Sequence, residues 1–144
     1  MKTSPLPVSI LCALLWAVPG NAQTISAECS PAQQQLKAAE VAVSQNDWLT
    51  ASNHYRAAMQ VAPSCVEAAV NLGVIYNRLN QSAEAIKTFK EALAKNPRLF
   101  AAHLNLGITY FRTARYDLAK ESLRNALKLN SGNTQARQLL ALSL

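Results

Sequence analysis

The sequence predicts an all-α fold, a solenoid of three helix pairs closed by a C-terminal capping helix. Three observations point there. The phrase NLGVIY at 71–76 returns 34 residues later as NLGITY at 105–110. Ala and Leu are abundant while Gly occurs only four times, and the Ala and Leu side chains lose little rotamer freedom in a helix. The chain has 144 residues, half of them apolar, which is enough for one packed domain and short for two.

The first segment, 1–22, reads as a secretory signal peptide. Lys2 precedes the apolar run Val8–Val18, and small residues follow at Gly20 and Ala22, so the mature chain is expected to start at Gln23. The run is too short to span a bilayer, and Cys12 follows Leu11 rather than the small residue of a lipoprotein signal. The expectation is export to a periplasmic or extracellular space with no stable membrane anchor. Residues 23–31 form an N-terminal arm. Removing Lys2 leaves 13 basic residues against 8 acidic ones, interspersed at helical spacings such as Lys87, Glu91 and Lys95. Such charges solvate a helix face. A nucleic-acid groove would need clustered basic residues with stacking aromatics between them, so no nucleic-acid partner is expected.

From residue 32 the chain matches itself at an offset of 34: Ala51, Ala85 and Ala119, then Tyr55, Phe89 and Leu123, then Ala58, Ala92 and Ala126. Three repeats follow, 32–65, 66–99 and 100–133, with first helices at 32–44, 66–78 and 100–112 and second helices at 48–61, 82–95 and 116–129. Pro63 and Pro97 end two of the second helices, because proline cannot continue the hydrogen-bond ladder. Ser131 and Gly132 take that place in the third. Gly73 and Gly107 each cost a helix about 1 kcal/mol relative to Ala, so close approach of a partner helix must require the missing side chain. The last segment, 134–144, offers Leu139, Leu140 and Leu142 for packing and Gln135, Arg137 and Gln138 to water. It reads as a capping helix too short to be stable undocked.

This pattern resembles the tetratricopeptide repeat, a pair of antiparallel helices with W-x2-L-G-x2-Y…A-x3-F…P spacing. The second copy carries nearly all of it in Leu72, Gly73, Tyr76, Ala85, Phe89, Ala92 and Pro97. The resemblance implies that the first helices line a concave groove holding a protein or peptide partner. Its groove-facing positions are Gln33, Leu36, Glu40 and Val43, then Glu67, Val70, Val74 and Asn77, then Ala101, Leu104, Ile108 and Phe111, with Asn71 and Asn105 able to hold a ligand's backbone. Some family members clamp an acidic C-terminus with lysine, arginine and asparagine. Here Leu36 and Ala101 replace the lysines and Glu40 would repel a carboxylate, so an apolar or amphipathic segment is the expected ligand. The alternative from a different class is a scaffold that self-assembles into homo-oligomers through its apolar repeat ends, with Leu142 and Leu144 at the contact.

No catalytic residues, cofactor or metal are expected. The chain lacks G-x-S-x-G, a Walker loop, H-E-x-x-H and a paired-carboxylate arrangement, and His54 and His103 fall in different repeats without further ligands at short spacing. Cys29 and Cys65 each stand beside a proline ahead of a first helix. In an exported protein they read first as a disulfide worth roughly 3–4 kcal/mol, with free thiols or an intermolecular or redox pair as alternatives. Asn80-Gln81-Ser82 matches the glycosylation acceptor pattern.

Overall fold

The computed structural model describes residues 26–144. The signal segment 1–22, Cys12 and the expected start at Gln23 lie outside the described residues. Seven α-helices follow in order: α1 (Gln33–Ser44), α2 (Trp48–Val61), α3 (Val66–Arg78), α4 (Ser82–Lys95), α5 (Phe100–Arg112), α6 (Tyr116–Leu129) and α7 (Thr134–Leu142). Among the described residues there is no strand and no helix long and apolar enough to cross a membrane. In the described part of the arm, Ala27–Ala32 wind into a 3-10 helix that buries Cys29 and Ala32.

Each helix packs on the next in sequence. In addition α3 touches α5 and α5 touches α7, whereas among the described residues no comparable contact joins α2 to α4 or α4 to α6. The first helices α3, α5 and α7 therefore approach one another on the inner side, while among the described residues α1 and α3 make no comparable contact, and the second helices fan out on the outer side, which gives the stack a concave and a convex face. Two core clusters share α3. One gathers Leu36, Tyr55 and Leu72 with the small Ala39, Ala51 and Ala58. The other gathers Phe89, Leu106, Tyr110 and Leu123 with further alanines.

Both helical glycines sit where the two helices of a pair meet. A Cβ on Gly73 would stand 2.5 Å from Phe89 Cε1, and one on Gly107 would stand 2.8 Å from Leu123 Cδ2. Phe89 and Leu123 are wholly buried, each burial contributing roughly 1.5–3 kcal/mol. The recurrence of NLGxxY is thus the imprint of one helix-packing contact used twice.

The turn inside each pair closes by a device that lacks glycine. Asn46, Asn80 and Ala114 hold left-handed backbone at φ 58, 58 and 57°. Around Asn80, Gln81 N–H donates to Tyr76 C=O at 2.8 Å and Asn80 N–H to Asn77 C=O at 3.2 Å, and the same pair of bonds recurs around Asn46 and Ala114. This is the Schellman closure of a helix C-terminus. Asn tolerates that conformation, and Ala does so at a cost.

Cys29 and Cys65 are bridged, with Cα atoms 4.7 Å apart. Both are buried, and the bridge fastens the 3-10 helix to the start of α3. At the other end, α7 is anchored by Ala136, which is wholly buried, and by the half-buried Leu139 and Leu140. Leu142 does not pack on the last repeat as expected: it is 70% exposed, and Leu144 is 84% exposed.

Candidate functional site

The inner face is built from α1, α3 and α5. Its floor is apolar, because the helix positions facing neither the partner helix of a pair nor outer solvent carry Val43, Val74, Leu104, Ile108 and Phe111, all half-buried. Phe111 is held edge-on against Tyr116 with ring centroids 5.5 Å apart. Asn71 is exposed beside this floor. The half-buried Asn105 donates from Nδ2 to Ala101 C=O at 2.8 Å, so its amide is tied to its own helix.

Three of the candidate groove residues stand elsewhere. Leu36 is 7% exposed in the first core cluster and Val70 is 8% exposed in the second, so helix packing consumes them. Asn77, 9% exposed, donates from Nδ2 to Thr109 Oγ1 at 2.7 Å, and Thr109 Oγ1 in turn donates to Asn105 C=O at 2.7 Å. Since the single Thr109 hydroxyl proton is spent on Asn105, Thr109 can only accept from Asn77. That fixes the orientation of the amide and leaves Asn77 Oδ1 buried without a partner. These three residues offer a ligand little surface.

Thr109 and Arg112 are site elements that sequence reasoning missed. Thr109 is wholly buried, and Arg112 reaches from the last turn of α5 toward Asn77 C=O at 3.5 Å and Asn80 Oδ1 at 3.4 Å. The signal was present in the repeat register. Thr109 stands where the previous repeat has Ile75, and Asn77 stands where its neighbours have Val43 and Phe111. Two polar residues break the apolar pattern at one junction, and they pair.

The face bears negative charge at its α1 end. Glu40 is exposed there, and Tyr55 beneath has its phenol pushed above the ordinary value, first by burial and then by the Glu40 carboxylate. Glu67 is exposed in the first turn of α3, and its carboxylate lies 3.4 Å from Cys29 Sγ. Cys29, Cys65 and Glu67 bring ligand-type atoms within 4.8 Å of one another, but the bridge occupies both sulfurs and offers a metal no thiolate. His54 and His103 are half-buried on different helices, and His103 Nε2 lies 2.9 Å from Pro97 C=O.

Comparison with known proteins adds to this geometry. Two family profiles described as tetratricopeptide repeat match residues 36–99 and 79–142. Among solved structures, the chain is similar to the first TPR of Spaghetti (RPAP3) bound to HSP90 peptide SRMEEVD. That likeness has 22% identity and a TM-score of 0.77 over 83% of this chain and 95% of that one. It is similar to the TPR2B domain in the pHsp70 complex of yeast Sti1, at 21% identity and a TM-score of 0.74, over 79% and 96% of the two chains. The Sgt2 TPR domain from Aspergillus fumigatus is alike at 21% identity and a TM-score of 0.73, over 78% and 76%. At such identities the likeness is one of fold. No curated protein matches the chain.

Proposed function

The chain belongs to the tetratricopeptide repeat family, and from that premise we propose that it is a non-catalytic module binding an apolar or amphipathic segment of a partner protein in its concave groove. The observation that carries this reading is the inner floor of Val74, Leu104, Ile108 and Phe111. Val74, Leu104 and Phe111 rest against the second core cluster yet stay half-buried, as does Ile108, and the amide of Asn71 is exposed beside them. Two similar domains are peptide or protein complexes in their solved structures, one with an HSP90 peptide and one with pHsp70. The ligand class differs here on electrostatic grounds. Ala101 and the buried Leu36 offer no cation, and the exposed Glu40 would oppose an acidic terminus.

A short ligand of this kind binds in the micromolar range, about 8 kcal/mol, because ordering offsets most of the burial. Leu104→Glu keeps a good helix former at the site but sets a charge where the ligand must exclude water. Partners captured from the native secretome should bind this variant at least about tenfold more weakly, with helicity unchanged, while Lys90→Glu on the exposed outer side stays neutral. Full binding by Leu104→Glu together with loss in Lys90→Glu would move the working surface to the convex face. We also propose export with cleavage before Gln23, a reading supported by the buried disulfide, which suits an oxidising compartment. An intact mass that retains residues 1–22 in the exported protein would refute it.

One observation favours the scaffold as a second reading. In the 34-residue register α7 is the first helix of a fourth repeat, with Ala136 matching Ala102, Leu140 matching Leu106 and Leu144 matching Tyr110. Ala136 and Ala102 are both wholly buried, but Leu144 is 84% exposed where Tyr110 is 3% exposed. A light-scattering mass that rises with concentration in the wild type and not in Leu144→Glu would support assembly through this end.

A further inference from the structure

Two adjoining cavities lie on the outer face between α2 and α4, of about 260 Å³ and about 310 Å³. They share Arg56 of α2, Tyr76 of α3 and Glu84 of α4, so they form one cleft with Tyr76 at its centre. Leu72 and Met59 extend the apolar floor at one end and Leu79 at the other.

The repeat register distinguishes this junction from the next. α2, α3 and α4 map by 34 residues onto α4, α5 and α6. Tyr76 thereby maps onto Tyr110, which is 3% exposed, while Tyr76 itself is only half-buried. The α2 position that lines the cleft together with Tyr76 is Ser52, and its equivalent at the second junction is Ile86. Ile86 packs on the core cluster that contains Tyr110, whereas Ser52, itself only 4% exposed, turns its hydroxyl back to Leu49 C=O at 2.7 Å and borders the cleft. The smaller side chain at this junction goes with the more exposed tyrosine.

Its walls are also particular to this junction. Arg56 and Glu84 face the cleft from the two second helices, and neither is engaged in an ion pair among the described residues. The equivalent positions of the next junction hold Lys90 and Leu118, which cannot present opposite charges. The other charges on the wall, Lys87 and Glu91, pair with each other at 4.0 Å, so Arg56 and Glu84 are the ones left to a ligand beside Leu72, Tyr76 and Leu79, the complement of an apolar side chain flanked by an acidic and a basic one.

We propose that this outer cleft is a second binding site, separate from the concave groove, for an extended peptide segment of a partner protein. The segment seats an apolar side chain on Tyr76, turns an acidic side chain toward Arg56 and a basic one toward Glu84.

The test uses the full-length exported protein and an array of nine-residue, N-acetylated and C-amidated peptides. Each carries a central Phe, Leu or Met flanked by Glu and Lys in either order. The best peptide, measured by fluorescence polarisation, should bind with a micromolar Kd and prefer one charge order. Ser52→Ile copies the side chain that the next repeat carries and crowds the Tyr76 edge of the cleft, so it should keep the wild-type helicity and bind at least tenfold more weakly. The double variant Arg56→Glu with Glu84→Arg should prefer the opposite charge order. Leu104→Glu, which disables the concave groove, should bind the peptide as the wild type does, so failure of one surface is distinguishable from failure of the other. The proposal is overturned if no peptide of the array binds, if Ser52→Ile binds the best one undiminished, if the double variant keeps the original order, or if free amino acids compete as well as the peptide.

Discussion

Replacing Gly73 by Ala adds one methyl group and sets two effects against each other. Ala is a better helix former than Gly by about 1 kcal/mol, so an unobstructed site would gain that amount. Here the new Cβ would meet three atoms of the Phe89 ring at 2.5, 2.7 and 2.9 Å. Carbon atoms rest at about 3.5–4.0 Å, so the ring or the helix must retreat by about 1 Å. Phe89 is wholly buried, and an aromatic ring cannot fold out of the way as a long flexible chain would. Overpacking of this kind costs typically 1–3 kcal/mol, and so close a contact with a rigid group belongs in the upper part of that range. The net expectation is a loss of about 1–2 kcal/mol, or several degrees in Tm. Chemical denaturation followed by far-UV circular dichroism measures it. The decisive control is the same substitution in a Phe89→Ala background. With the ring gone, Gly73→Ala should become stabilising, giving a coupling of at least about 2 kcal/mol in the double-mutant cycle. If Gly73→Ala stabilises the wild type, or costs the same with and without the ring, close helix approach is not why glycine stands there.

Three further outcomes follow from the same structure. Ala114 holds left-handed backbone at φ 57° where the other repeats use Asn46 and Asn80, so Ala114→Gly should stabilise by about 1 kcal/mol in the same denaturation assay. The Tyr55 phenol is pushed above its ordinary value of 10.0 by burial, so its neutral form is favoured by folding. Its contribution is complete below pH 10 and falls as pH rises through the elevated value; the stability difference between wild type and Tyr55→Phe should therefore shrink only above about pH 10. Opening the Cys29–Cys65 bridge, which joins residues 36 apart, should cost roughly 3–4 kcal/mol on thermal unfolding with and without reductant, whereas a Cys29→Ser variant should show no effect of reductant.

The fold was legible because its packing contacts repeat. Leu72 and Leu106, Gly73 and Gly107, and the bulky Phe89 and Leu123 that face those glycines perform one task at a fixed interval, and that interval is visible in one dimension. The turn closures were not legible, since Asn46, Asn80 and Ala114 replace the glycine by which a left-handed residue is ordinarily recognised. The 3-10 helix over Ala27–Ala32 was hidden behind Pro31, which suggests a break yet sits inside the element. The candidate groove was legible only in outline. A single-repeat pattern says which side of a helix faces inward, but exposure depends on how far neighbouring pairs overlap, which the pattern does not set. Leu36 and Val70 were drawn into the core for that reason, and Asn77 was claimed by Thr109. The outer cleft goes with Ser52 differing from Ile86, a departure from the repeat rather than part of it.

The bridge between Cys29 and Cys65 also decides how the molecule would carry load. A pull applied between the two ends of the chain enters through the N-terminal segment, crosses the sulfur–sulfur bond and emerges at the start of α3. α1 and α2 lie inside the covalent loop and feel no tension, so the first repeat is mechanically shunted while α3 to α7 bear the force. A stretching experiment on the oxidised protein should therefore lack the extension stored in the 36-residue loop, on the order of 120 Å when fully drawn out. Reductant should release it as an added length, and the first repeat would then become a load-bearing element.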